Sequence, residues 1–115
     1  MHRFFSSFNN AFRGLLYVVK NEQNFRIELI VAVFIVILML ISDLKKWEVV
    51  ILIGIIFSVL ALEILNTVME RLVDVFKPRI HPYVRVIKDI SAAAVFLASI
   101  GATIIGVIIF WPYIF

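Results

Sequence analysis

The sequence predicts an all-α membrane protein with three transmembrane helices and an amphipathic surface helix before them. Two observations lead to this prediction. Hydrophobic residues make up 63% of the 115 residues and the mean hydropathy is +1.09, whereas soluble domains are roughly 45–50% apolar. The apolar residues also form three blocks, each close to the ~20 residues that a spanning helix needs. A single membrane domain, residues 1–115, accounts for the chain.

The amphipathic helix is predicted at about residues 3–20. Phe4, Phe8 and Phe12 recur every four residues and therefore share one helix face, while Ser, Asn and Arg side chains occupy the other. This segment is too polar to span a bilayer, and its pattern is typical of a helix lying along the membrane interface. Packing of the same face against the protein's own bundle is compatible with the pattern as well.

Three helices that include the spans are predicted at about residues 25–42, 47–76 and 90–111. The second continues past its apolar run because residues 66–76 keep helical spacing without Gly or Pro, and Pro78 and Pro82 then prevent its continuation. The third ends in FWPYIF, an aromatic cluster of the kind found at membrane–water interfaces.

The basic residues predict how the chain is oriented. Of the 11 Lys and Arg residues, only Lys45 and Lys46 lie between the first two spans, and the other nine lie before the first span or between the second and third. The positive-inside rule therefore puts the amino terminus in the cytoplasm and the carboxyl terminus outside. This asymmetry also explains the net charge of +3 without a nucleic-acid partner.

Four polar residues in the second helix, within the stretch LEILNTVMERLVD, are the main candidates for chemistry. At about 100° per residue, Asn66, Glu70 and Asp74 lie at roughly −60°, −20° and +20° from Glu63, on one face about 80° wide. Acids in a membrane helix usually face the bundle interior, a polar cavity or a partner. An ordinary solvated position just beyond the bilayer is the alternative for Glu70 and Asp74.

Two further polar groups lie at the same predicted membrane boundary. NEQNFRIE opens the first span with Glu22, Asn24, Arg26 and Glu28, and Lys88 and Asp89 precede the third. Oxygen-rich sets of carboxylates and amides suit Mg²⁺, and neighbouring Lys and Arg suit phosphate. The spacing of Glu22 and Arg26 also fits an ordinary surface ion pair. The chain has no cysteine, no GxxxxGK[ST] or GxGxxG motif and no nucleophile elbow.

Together these residues resemble the bacterial integral-membrane diacylglycerol kinase family, which includes the undecaprenol kinases. The resemblance covers nearly the whole chain. It is carried by ExxNxxxExxxD from Glu63 to Asp74, NExxFR from Asn21 to Arg26, KDxxxAAV from Lys88 to Val95, Arg3, and the RGL of Arg13 to Leu15.

The resemblance implies a homotrimeric bundle in the bacterial cytoplasmic membrane, with active sites shared between subunits. It implies transfer of the γ-phosphoryl group of MgATP to the hydroxyl of a membrane lipid. Glu63 would be the general base, and Glu22 and Glu70 the Mg²⁺ ligands. The implied ATP-binding residues are Arg3, Glu22, Asn66, Glu70, Asp74, His81, Lys88 and Asp89. The implied lipid-binding residues are Glu63, Arg13 and Trp111.

The identity of the lipid stays open between diacylglycerol and undecaprenol. His81 and Pro82, in a compact loop, are closer to the undecaprenol-kinase branch, whereas Arg79 replaces an acid that many members carry. A small oligomeric channel for ions or protons, lined by the carboxylates, is the main alternative function. The position of the acids at one end of the spans, rather than through the bilayer, disfavours the channel. A non-catalytic membrane scaffold is a third interpretation.

Overall fold

The computed structural model describes residues 2–76 and 82–115, which form four α-helices. The helices are α1 (His2–Asn21), α2 (Gln23–Ile41), α3 (Lys46–Phe76) and α4 (Tyr83–Ile114). No strand occurs in these two ranges. Pro78, Arg79 and His81, of which His81 is a predicted ATP-binding residue, lie outside the described residues.

Three of the helices are long and apolar enough to cross a membrane. The most apolar 18-residue windows of α2, α3 and α4 have mean hydropathies of 2.5, 2.6 and 2.5. The predicted fold class, an all-α chain with three candidate spans, is therefore confirmed. The fourth helix begins at Tyr83, directly after Pro82, and not at residue 90. The prediction marked the start of the apolar run, whereas Pro is favoured at a helix start whatever the polarity of the following turns.

The amphipathic helix α1 lies against the start of α2 and also reaches α3. Val18 is its buried residue, while Phe4, Phe8 and Phe12 are 69%, 66% and 53% exposed. Arg26 fixes the junction with α2, because its guanidinium donates hydrogen bonds to the carbonyls of Val19 (2.8 Å) and Lys20 (2.9 Å). These carbonyls belong to the last turn of α1, where intrahelical partners run out.

Few side chains are buried in the described part of the chain, and many large apolar side chains of α2, α3 and α4 are exposed. A buried apolar cluster in the described residues consists of Leu52 from α3 with Ile109 and Phe110 from α4. Beside it, the carboxylate of Glu48 accepts hydrogen bonds from the Lys45 backbone N–H (2.9 Å) and the Tyr113 hydroxyl (2.6 Å). We call this the aromatic end of the molecule, and the opposite end, where α3 finishes and α4 begins, the polar end.

Candidate functional site

The predicted polar face of α3 is present and leads from a buried to an accessible region. The helix is unbroken from Lys46 to Phe76, so the four residues share one face as their spacing requires. Glu63 is 3% exposed and Asn66 is 7% exposed. Glu70 and Asp74 are more accessible, with side chains 35% and 44% exposed. The face therefore connects the packed interior with the accessible polar end.

Glu28 of α2 brings a second carboxyl group against Glu63. The two groups lie within hydrogen-bonding reach of each other, and the Asn66 amide is also within reach of Glu63. Two carboxylates at this separation repel each other unless a proton or a cation lies between them. The Glu28–Glu63 pair is therefore a place where a proton can be held or passed on, as general acid–base chemistry requires.

Glu70 lies one turn beyond this pair and is held by Asn66. The Asn66 amide Nδ2 donates a hydrogen bond of 3.2 Å to Glu70 Oε1. The other amide atom, Asn66 Oδ1, is buried and accepts no hydrogen bond, and the same holds for Glu28 Oε2. Buried acceptors are normally satisfied. Two such oxygens beside Glu63 and Glu70 indicate that this region is built to receive a proton donor or a cation.

Glu22 reaches the same region from the junction of α1 and α2. It adopts an extended backbone conformation at the start of α2, and its side chain caps no helix N–H. Its carboxylate instead accepts a hydrogen bond of 2.7 Å from Arg71 Nη2. The sequence-based alternative, an ion pair between Glu22 and Arg26, is not what the structure shows, because Arg26 is bound to the carbonyls at the end of α1.

Arg71 links the two predicted metal ligands. Its Nη1 lies 4.0 Å from Glu70 Oε2, while Nη2 holds Glu22. Its Nε donates a hydrogen bond of 2.9 Å to the Tyr17 hydroxyl, and the guanidinium lies 5.7 Å from the centroid of the Tyr17 ring. One side chain thus joins α1, the start of α2 and α3 at the polar end.

A second cation of the polar end comes from α4. Lys88 Nζ donates a hydrogen bond of 2.7 Å to Asp74 Oδ1, and both side chains are partly exposed. The pair holds an ammonium group near the accessible end of the α3 face. A lysine in this position can interact with phosphate oxygens as a point charge.

The remaining predicted residues do not join this cluster within one chain. Arg3 and Asp89 are exposed, and no hydrogen bond or ion pair joins either side chain to another predicted site residue in the described part of the chain. Arg13 is hydrogen-bonded to Asn10 on its own helix. Trp111 is far from Glu63, at the aromatic end, where its ring centroid lies 4.5 Å from that of Phe115.

The cluster suits Mg²⁺ only if other ligands complete the coordination. In residues 2–76 and 82–115, no group of three or more His, Asp or Glu side chains could hold a metal ion. Mg²⁺, however, is commonly bound by one or two carboxylates together with substrate phosphates and water. Two carboxylates next to the buried oxygen of Asn66 fit this mode, and they do not fit a metal site formed by protein ligands alone.

Sequence reasoning missed three members of the cluster. The sequence places Glu28 in the oxygen-rich stretch NEQNFRIE but predicts no individual role for it, although an acid in the first turns of an apolar span is itself a signal. For Arg71 the sequence predicts only a contribution to the positive charge of the polar end. Its angular position, about 80° from Glu63, puts it at the edge of the polar face. No sequence pattern identifies Tyr17, because its contact with Arg71 depends on how α1 crosses α3.

A long apolar groove runs from this cluster to the aromatic end. It lies between α2, α3 and α4 and has a volume of about 650 Å³. Glu28 lines it at the polar end, and Trp111, Ile114 and Phe115 line it at the other. Its α4 wall begins at Ser99, so it extends over about 24 Å at 1.5 Å per residue. The groove therefore covers most of a hydrocarbon core about 30 Å thick.

Comparison of the sequence with known proteins identifies a family. The model of the prokaryotic diacylglycerol kinase family matches residues 9–110. An undecaprenol kinase of Bacillus subtilis (strain 168) is 34% identical over 112 residues, which are 97% of this chain and 91% of that protein.

Two diacylglycerol kinases are also similar. The protein of Synechocystis sp. (strain ATCC 27184 / PCC 6803 / Kazusa) is 34% identical over 101 residues, 87% of this chain and 58% of its own length. The protein of Haemophilus influenzae (strain ATCC 51907 / DSM 11121 / KW20 / Rd) is 33% identical over 88 residues, 76% of this chain and 75% of its own.

These matches confirm the family and the enzyme class predicted from the motifs. They give no support to the ion-conducting alternative. The three apolar helices agree with a multi-pass membrane protein. The chain belongs to the prokaryotic diacylglycerol kinase family and is a lipid kinase with ATP as its phosphoryl donor.

Proposed function

We propose that the kinase acts on a long-chain polyprenol, of which undecaprenol is the example named in a relative. That relative matches this chain over 97% of its residues, a larger share than either diacylglycerol kinase covers. The groove is the single structural observation that carries the proposal. A lipid that contacts both Glu28 and Trp111 must extend through most of the hydrocarbon core, and the acyl chains of diacylglycerol reach only about half of that ~30 Å.

The proposed chemistry begins at Glu63. Its carboxylate accepts the proton of the lipid hydroxyl, the hydroxyl oxygen bonds to the γ-phosphorus, and the bond to the β-phosphate oxygen breaks to release ADP. Glu28, the carboxyl group next to Glu63, offers a second place for the proton. Phosphoryl transfer depends mainly on positioning and charge neutralisation, so the site needs no covalent intermediate.

The proposed nucleotide site occupies the accessible part of the polar end. Glu22 and Glu70 would hold Mg²⁺, which when bound would neutralise phosphate charge. Asn66 orients Glu70 through its 3.2 Å hydrogen bond, and Lys88 is held beside the site by Asp74. Arg3, His81 and Asp89 complete the proposed ATP-binding set, and Arg13 is proposed as a lipid contact near the surface helix.

We propose a homotrimer with shared sites and with the amino terminus in the cytoplasm. Within the described residues, the side chains of Arg3 and Asp89 form no hydrogen bond or ion pair with the other proposed site residues, which is consistent with their serving the site of a neighbouring subunit. The distribution of the 11 Lys and Arg residues supports a cytoplasmic polar end in the inner membrane, where ATP is available, and a carboxyl terminus outside.

A direct competition between lipids tests the proposal. Purified protein in mixed micelles receives undecaprenol and diacylglycerol at equal mole fractions with limiting radiolabelled MgATP, and chromatography separates the two products. We expect most of the label in undecaprenyl phosphate. Preferential labelling of phosphatidate would overturn the polyprenol assignment, and a substitution of Ala102 by Phe within the groove should reduce labelling of undecaprenol more than that of diacylglycerol.

A further inference from the structure

We propose that Arg71 competes with the divalent cation for Glu22 and Glu70, so that this arginine sets how strongly the kinase binds its metal. The inference rests on the proposed function, because it takes Glu22 and Glu70 as the metal ligands. It adds a residue that neither the motifs nor the resemblance assigns. Arg71 is a positioning residue in this account, since it contacts the ligands of the metal and not the reacting atoms.

The geometry of the guanidinium carries the inference. Its two terminal nitrogens point to different carboxylates, Nη2 to Glu22 at 2.7 Å and Nη1 to Glu70 at 4.0 Å. A planar guanidinium presents its donors in a fixed fork, so a single side chain can occupy both carboxylates at once. A cation that binds Glu22 through the same Oε1 oxygen must displace Arg71 Nη2 from it.

Tyr17 holds the arginine in this position. The hydrogen bond from Arg71 Nε to the Tyr17 hydroxyl is 2.9 Å long, and the guanidinium lies within cation–π distance of the ring. A side chain anchored on α1 in this way loses less rotational freedom when it binds the carboxylates than a free arginine would. Displacement from Glu22 would still leave Arg71 tethered close to the metal.

Charge explains the direction of the expected effect. Glu22 is largely buried, with a side chain 16% exposed, so its ionised form needs a counter-ion. Arg71 supplies one, and removal of its charge leaves Glu22 more attractive to another cation. Because Arg71 and Glu70 are partly exposed, solvent screening limits the gain. We expect Arg71→Gln to bind a divalent cation about three- to tenfold more tightly.

The experiment measures Mn²⁺ binding to the full-length protein in neutral detergent without nucleotide, by the electron paramagnetic resonance signal of free Mn²⁺. Arg71→Gln and Arg71→Met, a second neutral variant that keeps an unbranched stem, should both bind Mn²⁺ more tightly than wild type. Lys20→Gln removes the same charge two residues from Glu22 and should leave affinity unchanged. Unchanged or weaker binding in both Arg71 variants would overturn the inference.

Variants of the two proposed metal ligands separate a failure of this inference from a failure of the proposed function. If Glu22 and Glu70 are the ligands, Glu22→Gln and Glu70→Gln each weaken Mn²⁺ binding, and Arg71→Gln added to Glu22→Gln gives little further change. Wild-type affinity in both acid variants would overturn the metal assignment itself and this inference with it. Weakened binding there, with no gain from Arg71→Gln alone, would overturn only the role of Arg71.

A measurement on the wild-type protein avoids the question of whether a variant folds. Titration of ¹⁵N-arginine-labelled protein with Mg²⁺ should shift the Nε–H resonance of Arg71, because the guanidinium changes partners. The Arg26 resonance serves as the internal control, since its guanidinium is bound to the carbonyls of Val19 and Lys20. An Arg71 resonance that does not move while Mg²⁺ binds would contradict the proposal.

Discussion

Single residues show where polar chemistry can be placed in so apolar a chain. Glu63 and Asn66 are buried, and each lies beside a polar partner supplied by α2 or by the next turn of α3. A buried acid is costly without such partners. The position of Glu63 beside Glu28, which lines an apolar groove, is therefore best explained by a function.

Substitution of Lys88, the partner of Asp74, can distinguish a role in ATP binding from a role in stability. Because both side chains are more than a third exposed, the pair should add about 1 kcal/mol or less to stability. If Lys88 serves the ATP phosphates, Lys88→Gln should raise the KM for ATP about tenfold, the equivalent of one charge-assisted hydrogen bond, and leave the unfolding temperature nearly unchanged. Steady-state kinetics and thermal unfolding measure the two effects.

The control for this substitution is Lys46→Gln, which removes the same charge at the aromatic end. It should change neither KM nor the unfolding temperature. An unaltered KM for ATP in Lys88→Gln, together with a large loss of stability, would show that Lys88 acts as a helix clamp between α3 and α4 only.

At the level of residues, the sequence predicted which polar residues share a helix face, but it did not predict which residues contact them from other helices. The one-face arrangement of Glu63, Asn66, Glu70 and Asp74 follows from helical periodicity, and the unbroken α3 confirms it. The partners of Glu22 and Asp74 come from Arg71 and Lys88, 49 and 14 residues away. Such pairs depend on how helices cross, and a single sequence carries no information on the crossing.

Helices in this protein extend beyond the parts that the apolar pattern marks. α3 has 31 residues and α4 has 32, which correspond to about 47 and 48 Å, against a hydrocarbon core of about 30 Å. Asp74 lies near the end of α3 and Lys88 lies in the second turn of α4, beyond the most apolar parts of both helices. Each of these charged groups is therefore carried on an unbroken continuation of an apolar helix.

At the aromatic end, a hydrogen bond between Tyr113 and Glu48 links α4 to α3. Glu48 is 7% exposed and accepts a hydrogen bond of 2.6 Å from Tyr113, in addition to the one from the Lys45 N–H. Tyr113→Phe removes one donor from a buried carboxylate and should lower the unfolding temperature by a few degrees. Kinase activity at low temperature should not change, because the pair is at the end opposite Glu63.

A double-mutant comparison tests whether loss of the Tyr113–Glu48 hydrogen bond causes the lower unfolding temperature. Glu48→Gln should destabilise the wild type but add little to Tyr113→Phe if the hydrogen bond is responsible. Additive losses would mean that the two residues act independently. A loss of activity without a loss of stability would contradict the assignment of this end as structural.

At the scale of the whole molecule, a single chain does not bring all the proposed site residues together. Glu22, Glu28, Glu63, Glu70 and Arg71 converge in one chain, whereas the side chains of Arg3 and Asp89 form no hydrogen bond or ion pair with them in the described residues. The family resemblance predicted shared sites in a homotrimer, which no feature of a single sequence could show. Large exposed apolar surfaces on α2, α3 and α4 are compatible with lipid and with neighbouring subunits.

Mixing two variant chains in one assembly tests whether a single site takes residues from two subunits. If Glu63 and Asp89 serve one site from different subunits, trimers assembled from equal amounts of Glu63→Gln and Asp89→Asn chains contain about a quarter of their sites intact. Co-expression of the two inactive variants with different tags should therefore recover about a quarter of the wild-type activity. No recovery, in assemblies shown to contain both tags, would contradict sharing of these two residues.

The most direct test of the central claim compares two buried glutamates of α3. Glu63→Gln should lower the rate of lipid phosphorylation at least 100-fold, the usual contribution of a general base, and retain ATP binding and the folded state. Glu48→Gln, the same change at the aromatic end, should retain most of the activity at low temperature. Near-wild-type lipid phosphorylation by Glu63→Gln would contradict the account.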